Sequence, residues 1–262
     1  MLKSIDGALA DIRTGLGMRR VWIALAHEDI GDQHRRTTLG PLWLLVNYFA
    51  FTGAFIVVFG HNAAIPNFPS YAATGLFTWL YISEVVNLGI TLFKREQSFI
   101  MGTTLPITVY VMRMTMQSLI RAGYALVGCL AIMVLEGTPV TFLWLWSALG
   151  LGMIVFWTPA IILVCAFGGA FFPDLQFIVQ NMMRLGMFVT PIFWTHIGGG
   201  GLRTILYHWN PFTYFLDIVR TPIIFDQIPG HALGISGAII LVTWAAALLL
   251  LGRLRKQLVF IL

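Results

Sequence analysis

Apolar residues in this chain gather into runs of about 20, the length of helix that crosses a bilayer, separated by short polar or turn-rich breaks. The runs predict membrane-spanning helices over 39–60, 72–93, 107–135, 142–167, 175–194 and 232–251. The breaks carry the expected punctuation: Pro66 and Pro69, Lys94-Arg95-Glu96, Glu136-Gly137-Thr138-Pro139 and Phe172-Pro173-Asp174. Asp174 is suited to cap the helix after it, and Gly198 to Gly201 read as a flexible link. Residues 202–230 are only moderately apolar and are broken by Pro211, Pro222 and Pro229, so they predict two short re-entrant or interfacial helices. Asn210-Pro211 is a start signal, an Asn cap with Pro at the first helical position.

Residues 1–38 are the most charged stretch. Met18, Val21, Trp22 and Leu25 recur at i, i+3, i+4 and i+7 while Arg19, Arg20, His27 and Glu28 point elsewhere, which predicts an amphipathic helix. Basic residues on one side and a Trp on the other suit the membrane interface. Packing on a soluble partner is the alternative, and the two are compatible. The fold class is therefore an all-α integral membrane protein. It has six transmembrane helices over 39–262, a cytoplasmic amphipathic segment over 1–38, and two short external helices within 202–230 before the last span.

Composition agrees. Of 262 residues 58% are hydrophobic and 10% charged, against roughly a quarter charged in soluble domains. The net charge of +5 forms no single patch, which argues against nucleic acid. Lys and Arg instead mark sides of the membrane. Lys3, Arg13, Arg19, Arg20, Arg35 and Arg36 precede the first run, Lys94 and Arg95 follow the second, and Arg253, Arg255 and Lys256 follow the last. Both termini are thus expected in the cytoplasm, with the 198–230 segment outside. Cys129 and Cys165 lie in apolar runs and read as small buried hydrophobes. The first 38 residues are polar and the first apolar run is too long for a signal peptide. No internal repeat is visible, unlike fused two-half carriers.

Marks of catalysis are missing. Gly234-Ile235-Ser236-Gly237 matches a short intramembrane-protease pattern, but no histidine follows to act as base, so it reads as small-residue helix packing. The six histidines show no metal-ligand spacing. No glycine-rich loop ends in Lys-Ser or Lys-Thr, so ATP must be held by another polypeptide if ATP drives this protein.

What remains is polarity inside the spans: Asn47, Glu84, Asn87, Arg113, Gln117, Arg121, Gln180, Asn181 and Arg184. Intramembrane ionisable groups are costly and face a pathway or a partner. Arg113, Gln117 and Arg121 form one stripe at i, i+4 and i+8, with snorkelling to the surface the alternative for Arg113. Glu84 and Arg184 each lie about ten residues, roughly 15 Å, from a cytoplasmic helix end. Glu84 is therefore expected to pair with Arg184, or failing that with Arg121. Aromatic faces bind sugar rings, and Tyr48, Phe49, Phe51, Phe188, Phe193 and Trp194 are candidates to line a glycan path; lipid-facing bulk is the alternative.

The motifs also resemble a family. Arg35-Arg36-Thr37-Thr38-Leu39-Gly40-Pro41-Leu42-Trp43 resembles the Arg-x-x-x-Leu-Gly-x-x-Trp approach to the first span in permease subunits of bacterial polysaccharide ABC exporters, which serve O-antigen, capsule and teichoic acid. Phe171-Phe172-Pro173-Asp174-Leu175 is similar to that family's turn before its fifth span, Thr190-Pro191-Ile192 to the end of that span, and Asn210-Pro211 to its external Asn-Pro. Pro173 departs from the basic residue many relatives carry. The resemblance implies a homodimer in the bacterial inner membrane, with the glycan path between protomers. It implies two copies of an ABC ATPase that hold ATP and Mg, no cofactor in this chain, and a polyprenyl-diphosphate-linked polysaccharide, O-antigen above all, as substrate. It also assigns coupling to the ATPase to Arg35 and Arg36, to Lys94, Arg95 and Glu96 in the 94–106 loop, and to Pro173 and Asp174. Rival readings are a small-molecule or drug efflux permease of the same superfamily and a membrane glycolipid enzyme. The aromatic content favours the glycan, and the missing carboxylate motifs count against the enzyme.

Overall fold

A computed structural model describes residues 2–60, 65, 67–195 and 201–261. His61, Pro66, His196 and the expected link at Gly198–Gly200 lie outside the described residues. The described chain is helical, without strands. Helices α1 (Leu2–Gly17) and α2 (Arg19–His34) lead into α3 (Leu42–Phe59) and α4 (Phe68–Gly89). Two short helices, α5 (Leu92–Arg95) and α6 (Gln97–Gly102), form an elbow before α7 (Ile107–Leu135), α8 (Trp144–Phe171) and α9 (Leu175–Val189). Then come α10 (Leu202–Trp209), α11 (Pro211–Ile224) and α12 (Gly230–Ile261).

Among the described residues α3, α7, α8 and α12 are long and apolar enough to cross a membrane. The chain is thus a helical membrane protein. Helix α4 is 22 residues long, but Ser70, Thr74, Thr78, Ser83, Glu84 and Asn87 dilute its apolar character. It begins four residues before the expected 72, because Pro69 sits in its first turn, where its missing N–H is no loss. Helix α9 has 15 residues and stops at Val189 instead of 194. Pro191 disfavours helical geometry in the residue before it, and Thr190 is extended at φ −79°, ψ 140°. Asp174 stands at the N-cap of α9 but in helical geometry, φ −71°, ψ −18°, and its side chain makes no cap. A capping side chain needs extended backbone. Asn210 does cap, its side-chain oxygen accepting from Phe212 N–H at 2.9 Å.

Helix α4 is the hub, packed by α3, α7, α8, α9 and α11. Thr74 and Thr78 donate their hydroxyls to carbonyls one turn back, at 2.9 and 3.0 Å, which satisfies them without water. Close approaches depend on glycine: a Cβ at Gly150 would meet the Ile218 carbonyl oxygen of α11 at 2.7 Å, and one at Gly169 the Ile90 carbonyl oxygen at 1.8 Å. Of the two helices in 202–230, α10 buries no residue, whereas α11 is sunk into the bundle between α4, α8 and α12.

Helix α11 carries a buried charge. Arg220 is 2% exposed, donates to Asp217 at 3.1 Å and to the Pro191 carbonyl at 2.7 Å, and lies 3.9 Å from the centroid of the Tyr71 ring. Tyr207 of α10 donates to Asp217 at 2.5 Å. Burial, then the Asp217 carboxylate, push the Tyr207 hydroxyl above the usual phenol range, so it remains the donor. This node pins the Thr190–Trp194 segment and α10 to α11 and α4.

The N-terminal helices are fastened by acids rather than by the expected apolar stripe. Met18 lies at the α1–α2 break and Val21 is 40% exposed, while Ala26 and Ile30 are buried. Asp29, on that buried side, receives Arg113 Nε and Nη2 of α7, each at 2.6 Å, and also the Gln117 amide. Arg113 Nη1 reaches Glu96 at the elbow, 3.0 Å away. Arg113 therefore pairs internally and does not snorkel. Pro106 at the N-cap of α7 has no side chain to cap with, and Asp11 of α1 substitutes. It accepts from the backbone N–H of Ile107 and Thr108 at 3.3 and 3.0 Å and from the Thr108 hydroxyl at 2.7 Å. A carboxylate there serves both the orphan N–H groups and the helix dipole. Arg255 of α12 donates to the Gly7 carbonyl at 2.6 Å.

Asp29→Asn should lower stability in detergent by on the order of 2 kcal/mol, the scale of hydrogen bonds to charged groups. Arg113→Gln should cost a similar amount, and the double variant less than the two together. Additive losses in thermal unfolding would refute the clamp.

Candidate functional site

Two adjoining clefts bring together Asn47, Glu84, Asn87, Arg121, Gln180 and Arg184, six of the nine polar residues singled out in the spans. The first, about 770 Å³, has Leu44, Asn47, Tyr48 and Phe51 of α3 on one wall and Ser83, Glu84 and Asn87 of α4 with Arg121 of α7 on the other. The second, about 580 Å³, lies between Trp79, Ser83 and Asn87 of α4 and Gln180, Met183, Arg184 and Phe188 of α9. Leu80, Ser83 and Asn87 border both. Leu80, Ser83, Glu84 and Asn87 are spaced i, i+3, i+4 and i+7, so they share one face of α4, polar at the last three of these positions. That spacing was the available signal for Ser83, which the sequence reading did not single out; Asn87 was singled out there only as a polar residue within a span.

Glu84 pairs with Arg121, Oε1 to Nε at 2.6 Å, and not with Arg184, the first expectation. Equal depth put Glu84 and Arg184 level, but depth leaves azimuth open. Glu84 leans toward α7, while Ser83, one residue and about 100° around the helix, borders the α9 side. None of the ion pairs among the described residues includes Arg184. The Arg113, Gln117 and Arg121 stripe thus divides its work: the first two residues hold α2 and the third holds α4.

The aromatic candidates separate. Phe51 and Phe188 are 37% and 62% exposed and border the clefts. Tyr48 borders the first cleft but is buried, its hydroxyl donated to the Ala73 carbonyl at 2.9 Å. Phe49 packs beside Tyr48 on a small core with Phe77 and Met133. Phe193 is in an aromatic stack instead of on a cleft wall, 4.2 Å from Phe55 and 5.4 Å from Phe59 between centroids. Trp194 donates its indole N–H to the Phe188 carbonyl at 3.1 Å.

Residues expected to meet the ATPase also separate. Lys94 and Pro173 border one small crevice of about 180 Å³ with Thr91, Gln97, Gly169 and Gln176, which joins the elbow to the turn before α9. Arg95 pairs with Glu96 at 3.3 Å, and Asp174 is exposed. Arg35 and Arg36 lie apart on an exposed stretch, Arg35 within 3.8 Å of Asp32. Ser236 of the protease-like pattern is fully buried. Asp11, Asp29, Asp217 and Arg220 were not foreseen as partners, because each lies in a segment read as an interfacial or re-entrant helix.

Replacing Glu84 by Gln should destabilise the bundle, because Arg121 is left as an uncompensated intramembrane charge. Arg121→Gln should do likewise, and a double-mutant cycle on thermal stability should return a coupling on the order of 1 kcal/mol or more. Strict additivity would separate the two residues.

No protein-family model matches the chain. It is 24% identical over 238 residues, 87% of this chain and 90% of the relative, to the O-antigen export system permease protein RfbA of Myxococcus xanthus. It is 23% identical over 176 residues, 66% of this chain and 68% of the relative, to the protein of the same name from Klebsiella pneumoniae. These likenesses support a polysaccharide ABC exporter permease, the class the motifs resemble. By sequence, the chain is similar across most of its length to the permease proteins of O-antigen export systems.

Proposed function

We propose that this chain is one of two identical permease subunits of an ATP-driven exporter, which moves a polyprenyl-diphosphate-linked polysaccharide from the cytoplasmic to the outer leaflet of the inner membrane. O-antigen is the favoured cargo. The observation that carries this is the pair of adjoining clefts with mixed walls. Asn47, Ser83, Asn87 and Gln180 offer amide and hydroxyl groups to sugar hydroxyls, and Phe51 and Phe188 offer flat faces to sugar rings.

Several features support the assembly. Helix α3 buries little of itself within one chain, and α9 exposes Phe177, Ile178, Met182, Leu185 and Phe188. Surfaces of that kind beside a polar cleft suit a second protomer, with the path between the two. Six crossings, by α3, α4, α7, α8, α9 and α12, keep both basic termini and the Lys94–Glu96 elbow in the cytoplasm, in keeping with the charge bias. The crevice between elbow and α9 turn is then where the ATPase, with its ATP and Mg, would press. Force applied there reaches α2 through Glu96, Arg113 and Asp29.

Deletion of the gene should abolish surface polysaccharide, and the chain co-expressed with an ATPase from a neighbouring gene should purify as a complex that hydrolyses ATP, while the chain alone should not. Hydrolysis by the isolated chain, or normal surface polysaccharide in the deletion strain, would overturn the reading. Phe51→Ala and Phe188→Ala should each lower export about two- to tenfold, the equivalent of an aromatic contact of roughly 0.5–1.5 kcal/mol, at unchanged protein level.

A further inference from the structure

Glu84 is the carboxylate among the residues that border the two clefts, and Arg121 takes it at 2.6 Å. Arg184 therefore brings an unbalanced positive charge to the second cleft. A cation in a membrane-embedded wall is costly unless an anion meets it. A symmetric second copy that apposed the same cleft would bring another Arg184 and repel it. A ligand that carries an anion into the cleft would balance the charge.

We propose that Arg184 is the binding site for a phosphate group of an amphiphile, the diphosphate linkage of the transported lipid-linked glycan. This deepens the export reading and rests on it. Arg184 is exposed at the cleft, and its guanidinium fork matches phosphate oxygens two at a time. Gln180, one turn before Arg184, borders the same cleft, and Ser83 and Asn87 stand across it on α4. These neutral groups supply further donors to phosphate oxygens. Met187 and Phe188 form an apolar flank, against which a prenyl segment or the first sugar can lie. The cleft's volume of about 580 Å³ lies within the range of ordinary ligand pockets, roughly 300–1,000 Å³. The adjoining cleft, where Arg121 is already neutralised by Glu84, is left for uncharged sugars. The pairing of Glu84 thus sorts the two clefts, one for the charged linkage and one for the glycan.

The test uses the complex of this chain with its ATPase in lipid nanodiscs. Binding is measured for a long-chain polyprenyl diphosphate, for the uncharged polyprenol of equal length and for phosphatidylglycerol. Wild type should bind the diphosphate at least about tenfold more tightly than the polyprenol, as expected for charge-assisted hydrogen bonds. Arg184→Gln should erase that preference and leave polyprenol binding unchanged, and Arg184→Lys should keep part of it. Gln180→Ala should weaken diphosphate binding two- to threefold and serves if the Arg184 variants fail to assemble. Equal diphosphate affinity in wild type and Arg184→Gln, or in wild type and Gln180→Ala where only that variant assembles, would overturn the proposal. Phosphatidylglycerol bound as tightly as the diphosphate, and lost alongside it, would overturn it too, by assigning the site to bilayer lipid. Failure of the export reading has a different signature, normal surface polysaccharide in the deletion strain. Lost polysaccharide in that strain combined with unchanged Arg184→Gln binding leaves the export reading standing and removes only this site.

Discussion

A guanidinium inside an apolar bundle has to be met by a carboxylate or by carbonyl oxygens, and much of this architecture is arranged around that requirement. Arg113, Arg121 and Arg220 each find a carboxylate: Asp29 of α2, Glu84 of α4 and Asp217 within α11. Between helices that are otherwise greasy on all sides, van der Waals packing says little about rotation or register, because one apolar surface packs much like another. A charge pair at 2.6 Å fixes both. The Arg121–Glu84 pair sets α7 against α4, and the Arg113 fork sets α2 and the elbow against the start of α7. The Arg220 node holds α11 at the depth where its carbonyl at Ile218 meets Gly150 of α8.

The same requirement divides the molecule into a fixed and a looser part. Helices α4, α7, α8, α11 and α12 share buried polar contacts and glycine-mediated approaches. Helix α3 is tied mainly through Tyr48, which fits against Gly128 of α7 and donates to the Ala73 carbonyl. Helix α9 is held by Gly186 seated on Trp79 and by its two ends. The two loosely held helices are the two that wall the clefts opposite α4. A cleft whose walls are fastened at a few points and whose floor is tightly packed can change width without rebuilding its core, because the tight contacts all lie on the floor side.

Much of this was legible in the sequence, and what was not has a physical reason. The apolar runs placed α3, α7, α8 and α12, because about 20 lipid-compatible residues leave a helix few alternatives. The Asn210-Pro211 cap was legible because its chemistry is local. Glu84 was rightly marked as a charge in need of a partner, but residue count along a helix gives height, and the partner depended on which way round α4 faces. The N-terminal segment was read from its apolar stripe, whereas Asp11 and Asp29 anchor it to residues 84 to 97 positions away. An acid in a charged segment looks solvated until its distant partner is known. Phe193 reads like Phe188 in composition, and only the turn imposed by Pro191 puts one in a stack and leaves the other on a cleft.

The cap that α1 lends to α7 has a bearing on how the protein is made. Asp11 and Asp29 leave the ribosome early, yet their partners at Thr108 and Arg113 emerge 97 and 84 residues later. At about 5–20 residues per second that is a delay of roughly 4–20 s, during which α3 is already being handed to the membrane. Through that interval the two acids are hydrated and the first helices have nothing to dock on. Helices α1 and α2, made before α7, therefore reach their place only after it, and their arrival closes the exposed end of a helix inserted well after them.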